Sequence, residues 1–135
     1  MARPKIRHLA ILTRRPAELA EFYCNVFEME VIRSEANGTI QYLSDGYLTV
    51  AILPHRVDGQ ATPGLNHFGF VVDDVGEIGK RITDAGYPGP GKRPADRPFA
   101  EYRCADIDGN LFDLSEHGFE RAETGSDREQ RLVRS

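Results

Sequence analysis

Apolar and polar positions along the chain fall into strand-length and helix-length periods that alternate in an ordered way. Residues 5–13 alternate and are rich in large apolar side chains, which predicts a strand. Thr13 is placed to cap the next element, and Pro16 fits its first turn. Leu19, Phe22, Tyr23, Val26 and Phe27 then recur at helical spacing as one apolar stripe. Strand-like runs follow at 29–34, 39–44 and 47–54, separated by the hairpin signals Asn37-Gly38 and Asp45-Gly46. A further strand covers 66–72. Asp73 or Asp74 then caps a helix with the stripe Val75, Ile78, Ile82 and Ala85, and Gly86 stops it. Residues 88–98 carry four prolines and two glycines and read as loop in place of most of a strand. Strands return at 99–105 and 110–116, joined by Asp108-Gly109.

The two halves share one plan. Arg7-His8-Leu9-Ala10-Ile11 aligns with Asn66-His67-Phe68-Gly69-Phe70 at an offset of 59 residues, histidine on histidine and small residue on small. Asp45-Gly46-Tyr47-Leu48 aligns with Asp108-Gly109-Asn110-Leu111 at an offset of 63. The predicted organisation is a single domain over 1–118, built of two modules at about 5–55 and 64–118. A charged tail, 119–135, follows and reads as mobile, with eight of its 17 residues charged, four of each sign.

Composition narrows the function. The chain has 135 residues, 40% apolar and 28% charged, which is ordinary for one globular domain. A net charge of −4 disfavours a general nucleic-acid binder, which needs a concentrated basic face. No apolar run reaches the roughly 18 residues of a membrane span. Cys24 and Cys104 stand 80 residues apart with no CxxC, so two packing thiols in a reducing cytosol are expected, hence a cytoplasmic protein without membrane or nucleic-acid partners.

Strand alternation places candidate chemistry on one face. His8, Ala10 and Leu12 share a face of the first strand; His67, Gly69 and Val71 share the matching face of its repeat. A small residue beside each histidine leaves space and suggests a cavity wall. In the last strand Phe112 and Leu114 read as core, which leaves Asp113 on the cavity side. Two histidines and a carboxylate suit a divalent metal with open coordination positions, Fe(II) or Mn(II) first, with Zn(II) and Ni(II) also compatible. Glu116 lies on the opposite face unless a bulge turns it, and is held in reserve. Each residue has a plainer reading: a satisfied structural histidine, or a hydrogen-bonded acid.

Around this set, Tyr102 and His117 are candidate catalytic donors or bases. Ala10, Gln41, Leu48, Val50, Gly69 and Arg103 are candidate substrate-pocket residues. With Ile52, Leu48 and Val50 would make an apolar wall for an aromatic or aliphatic substrate. Lys92, Arg93, Arg97 and Arg103 cluster around the Pro/Gly loop as a candidate handle for an anion.

His8 with Phe22-Tyr23-Cys24-Asn25-Val26-Phe27, the repeat His67-Phe68-Gly69-Phe70, and the run Asp106-Ile107-Asp108-Gly109-Asn110-Leu111-Phe112-Asp113-Leu114 resemble the vicinal oxygen chelate superfamily. That superfamily includes glyoxalase I, bleomycin-resistance proteins and extradiol dioxygenases. The resemblance covers roughly residues 5–118. It implies an α+β fold of two βαβββ modules with curved mixed sheets enclosing a cavity, usually in a homodimer. It also implies metal ligands at His8, His67 and Asp113. Its fourth ligand position, counted from the turn glycine, is Val50, which disfavours glyoxalase I activity. The remaining set resembles the extradiol dioxygenases, although those usually have Glu where this chain has Asp113. The implied activity is a metal-dependent dioxygenase or related lyase that binds a small molecule through two adjacent oxygens. The alternatives are a metal-free sequestration protein of the bleomycin-resistance type, and an acyl-thioester isomerase, which needs a second carboxylate.

Overall fold

The computed structural model describes residues 3–55, 62–94 and 100–117. Arg97 and the predicted 119–135 tail lie outside these residues. The chain divides into two compact units, one starting at His8 and the other at His67, with Lys5–Arg7 going with the second.

The first unit runs β1 (Lys5–Thr13), α1 (Pro16–Phe27), β2 (Glu30–Glu35), β3 (Ile40–Ser44) and β4 (Thr49–Pro54). Its strands lie in the order β2-β3-β4-β1, antiparallel except for the parallel β1–β4 pair. The second unit runs β5 (Gly64–Val71), α2 (Val75–Asp84), β6 (Gly91–Lys92), β7 (Tyr102–Ala105) and β8 (Leu111–Ser115). Its order is β5-β8-β7-β6, with β5–β8 the parallel pair. Each unit is thus a βαβββ module with a mixed sheet, as the repeat predicts. The Pro/Gly-rich loop retains two residues of strand, β6, on the sheet edge.

Local chemistry sets the boundaries. Pro16 starts α1, and the Thr13 hydroxyl accepts from the Arg15 amide just before it at 3.0 Å. The helix ends where Glu28 turns left-handed at φ 59°. Asp74 caps α2 by accepting from the Glu77 amide at 3.2 Å, and Gly86, at φ 93°, follows its end. At the β3–β4 hairpin Asp45 Oδ1 accepts from the Tyr47 and Leu48 amides at 2.8 and 2.7 Å.

Each module has its own core. In the first, Ala20, Leu43 and Ile52 are buried with Ile11, Leu19, Tyr23, Cys24, Met29 and Val50 around them. In the second, Val72, Val75, Cys104 and Leu114 are surrounded by Phe70, Ile78, Ile82, Tyr102 and Phe112. Burying a leucine such as Leu43 or Leu114 contributes about 1.5–3 kcal/mol. The predicted stripe of α1 divides. Leu19 and Tyr23 pack inward beside Ala20, while Phe22, Val26 and Phe27 are exposed, and the rings of Phe22, Phe27 and Tyr23 contact one another. No helix among the described residues is long and apolar enough to cross a membrane.

Candidate functional site

The β5–β8 register brings the second module's chemistry together. Gly69 lies beside Asp113, so the missing Cβ leaves room next to the carboxylate. Asp113 is completely buried, and buried carboxylates require partners. It has three. Arg103, its neighbour in the β7–β8 ladder, donates Nε to Oδ1 at 2.7 Å and Nη2 to Oδ2 at 3.2 Å. His67 Nε2 stands 3.2 Å from Oδ2. Arg93 Nη1 stands 3.8 Å from Oδ1. The fork gives the carboxylate a fixed plane as well as a counter-charge.

The first module carries the matching histidine without the acid. His8 is buried on β1 and lies in register with Thr49 on β4. Thr49 is fully buried, and its hydroxyl oxygen has no hydrogen-bond partner among the described residues. Ser44, opposite Thr49, is also fully buried and accepts from the Gly46 amide at 2.9 Å. Ala10 pairs with Ala51, both buried, so this face combines polar groups with minimal bulk.

Several predicted site residues lie elsewhere, and strand register explains each. Val50 is not the counterpart of Asp113. Gly69 pairs with Asp113 and its repeat equivalent Ala10 pairs with Ala51, so counting from the turn glycine misses by one residue. A one-residue shift moves a strand side chain to the other face. Val50 accordingly packs against the α1 core, with Ile52. Gln41 is in register with Ile52 on that face, and its side-chain amide donates to the Gly38 carbonyl at 3.1 Å, holding the β2–β3 turn. Leu48 precedes β4 in the Asp45 turn. Tyr102 pairs with Leu114 and packs in the α2 core, away from Asp113. His117 is exposed past β8, its amide donating to Ser115 Oγ at 3.2 Å.

Glu116 also follows strict alternation onto the α2 side. Its Oε2 accepts from the Val75 amide at 2.9 Å and so ties down the first turn of α2. Arg103, predicted as a pocket residue, holds Asp113, and Arg93 joins it. The cue for the Arg103–Asp113 pair was strand phase across the Asp108-Gly109 hairpin; Thr49 and Ser44 gave no cue, being small hydroxyls in an apolar run.

Titration behaviour follows burial and hydrogen bonding. Desolvation pushes the thiols of Cys24 and Cys104 above their ordinary value. Asp106, at the β7–β8 turn, is held below the usual carboxylate range, chiefly by the Asn110 side-chain amide and then by backbone amides.

Residues 5–114 match the Glyoxalase/Bleomycin resistance protein/Dioxygenase superfamily, and the chain belongs to that family. Among solved structures it is similar to a superfamily member from Vibrio splendidus 12B01, at 14% identity and TM-score 0.59, covering 83% of this chain and 97% of that one. It is also similar to methylmalonyl-CoA epimerase from Mycobacterium tuberculosis, at 15% identity and TM-score 0.58, with 81% and 85% covered. A third is a halotolerant catechol dioxygenase, at 17% identity and TM-score 0.66, where 90% of this chain covers 41% of that chain. These identities establish a shared fold. No curated protein matches the chain.

Proposed function

We propose that this chain is a small metal-dependent enzyme of the superfamily, an extradiol-type dioxygenase or related lyase acting on a small molecule through two adjacent oxygens. The supporting observation is the spacing of 3.2 Å between His67 Nε2 and Asp113 Oδ2. Ligands at about 2.1 Å from one ion stand roughly 3.0–3.4 Å apart, so this spacing fits two neighbouring ligands. The donor chemistry fits as well: Arg103 Nε takes Oδ1 at 2.7 Å, while Oδ2, which faces His67, accepts from Arg103 Nη2 at the longer 3.2 Å. His8, at the repeat-equivalent position of the first module, is the proposed third ligand. Each residue offers one imidazole nitrogen or carboxylate oxygen, which suits Fe(II) or Mn(II), and also Zn(II) or Ni(II).

When bound, the metal supplies Lewis-acid stabilisation of negative charge on a chelated substrate oxygen. The chain's own residues do the rest. Arg103 fixes the plane of Asp113, and burial keeps water from the carboxylate. Gly69 in one module and Ala10 and Ala51 in the other keep the histidine-bearing faces low, so that a substrate has room. The proposed assembly is a cytoplasmic homodimer.

One observation favours a second reading, a metal-free binding protein. Arg103 already engages both oxygens of Asp113, and a guanidinium there opposes a cation. Elemental analysis of protein purified without chelator or affinity tag separates the two. The enzyme reading expects close to one divalent metal per chain, lost in His67→Ala. Metal-free protein that gains no thermal stability from added Fe(II), Mn(II), Ni(II) or Zn(II) defeats it and leaves the binding protein.

A further inference from the structure

One row of residues crosses the second module from strand to strand: Gly69 on β5, Asp113 on β8, Arg103 on β7 and Gly91 on β6. Register partners project to the same face, so the whole row belongs to the face that carries Asp113. Its two ends have no side chain. A Cβ at position 91 would have the Arg103 carbonyl oxygen as its nearest neighbour, at an ordinary 3.8 Å. Glycine in a strand often marks a place where a ligand approaches the sheet closely.

The Arg103 guanidinium has two edges that can each grip an oxyanion. The edge formed by Nε and Nη2 holds Asp113, at 2.7 and 3.2 Å. The outer edge, Nη1 with the second N–H of Nη2, has no hydrogen-bond partner among the described residues. Nη1 is open to solvent. The Arg103 side chain keeps 26% of its surface exposed, while that of Asp113 keeps none. Asp113 thus fixes the plane of the guanidinium from one side of the ladder, and Gly91 leaves the other side uncovered. Parallel N–H groups held in one plane match the two oxygens of a carboxylate. Arg93 Nη1, 3.8 Å from Asp113 Oδ1, brings a second cation to the same row.

We propose that Arg103 is a specificity-determining residue whose outer edge anchors a carboxylate of the substrate. The molecule taken by this site is then an acid, with its carboxylate on Arg103 and its adjacent oxygens toward His67 and Asp113. That the anchored molecule is a substrate rests on the metal-dependent reading above; the anchor itself does not.

The test titrates the full-length protein, stripped of metal and then loaded with Zn(II), and follows backbone amide signals by NMR. The probes are protocatechuate (a catechol carrying a ring carboxylate), benzoate, and the neutral amide of each. In metal-free protein both acids should bind at least about tenfold tighter than their amides, with shifts at Gly91 and Arg103. Gly91→Glu places a carboxylate across the ladder on the outer edge and should abolish that preference, while Gly91→Ala should keep it. Arg103→Lys keeps a charge near Asp113 without a second edge and should also lose the preference. Thermal melts report whether each variant is folded. Zn(II) should tighten protocatechuate and leave benzoate unchanged. If Zn(II) tightens neither, the metal reading falls, while a surviving preference for the acids upholds the anchor. Equal binding of acid and amide, no saturable binding of either acid, or a preference that persists in folded Gly91→Glu or Arg103→Lys overturns the proposal.

Discussion

Arg103 lies across the β7–β8 ladder from Asp113 and grips its carboxylate with two nitrogens, Nε to Oδ1 at 2.7 Å and Nη2 to Oδ2 at 3.2 Å. Asp113 has no exposed surface, so its charge depends on the groups around it. Truncating Arg103 to Met removes the fork and leaves the buried charge to His67 and the more distant Arg93. The expected loss is about 3 kcal/mol in urea unfolding at neutral pH. Arg103→Met with Asp113→Leu should recover most of that loss, because no uncompensated charge remains. A double mutant no more stable than Arg103→Met would show that the pair is not energetically coupled.

Glu116 is the acid that strand alternation set aside, and its contact explains why. Its carboxylate closes the first turn of α2 through the Val75 amide, 41 residues away in sequence. Glu116→Ala should cost about 1 kcal/mol, combining a lost cap with a lost anion at a helix N-terminus. Glu116→Gln keeps an acceptor and should cost less. Metal content should be the same in both variants and wild type. A drop in bound metal in Glu116→Gln would make Glu116 a ligand after all.

Most of the framework was readable in the chain. The histidine repeat, the turn pairs Asp45-Gly46 and Asp108-Gly109, and the Asp74–Gly86 bracket around α2 reflect local backbone chemistry, which neighbouring residues specify. Asp113 was legible for the same reason, since its phase against Phe112 and Leu114 fixes its face. What failed was cross-strand register. Val50 and Ala51 differ by one position, and nothing local says which one Ala10 will meet. Gln41 and Tyr102 lie on the helix-facing side of their sheets, and each has a polar end that suits a pocket and a body that suits a core. The α1 stripe misled by being too wide: helical spacing identifies apolar faces but not which one the sheet covers.

Asp106 should show its hydrogen bonds in its titration. Its carboxyl is held below the ordinary range, first by Asn110 and then by backbone amides of the β7–β8 turn. A carboxyl depressed in the folded state stabilises the fold above its unfolded pKa and loses that contribution as pH falls through the folded one. NMR titration should therefore place Asp106 below an unstructured aspartate. Asn110→Ala should raise its pKa and flatten the acid side of the stability profile. An Asp106 that titrates like a free aspartate would contradict the turn geometry.

The two modules differ most at one pair of matching positions. Asp113 in the second module has Gly69 on one side and Arg103 on the other; Ala51 in the first has Ala10 and Tyr42. The repeat therefore keeps the histidine and the small residue in both copies but the acid with its arginine in only one. An acid at position 51 would be as buried as the alanine, at 5% exposure, with no arginine across the ladder. Ala51→Asp should destabilise the protein by about 3 kcal/mol or more. Ala51→Asn has nearly the same bulk without the charge and should lose less. At position 113 the order reverses, because Asp113→Asn discards a charge that Arg103 is placed to meet. Asparagine should thus be the better tolerated residue at 51 and aspartate at 113, measured in the same denaturant series. Equal tolerance of aspartate at both positions would show that the arginine does not decide which module carries the acid.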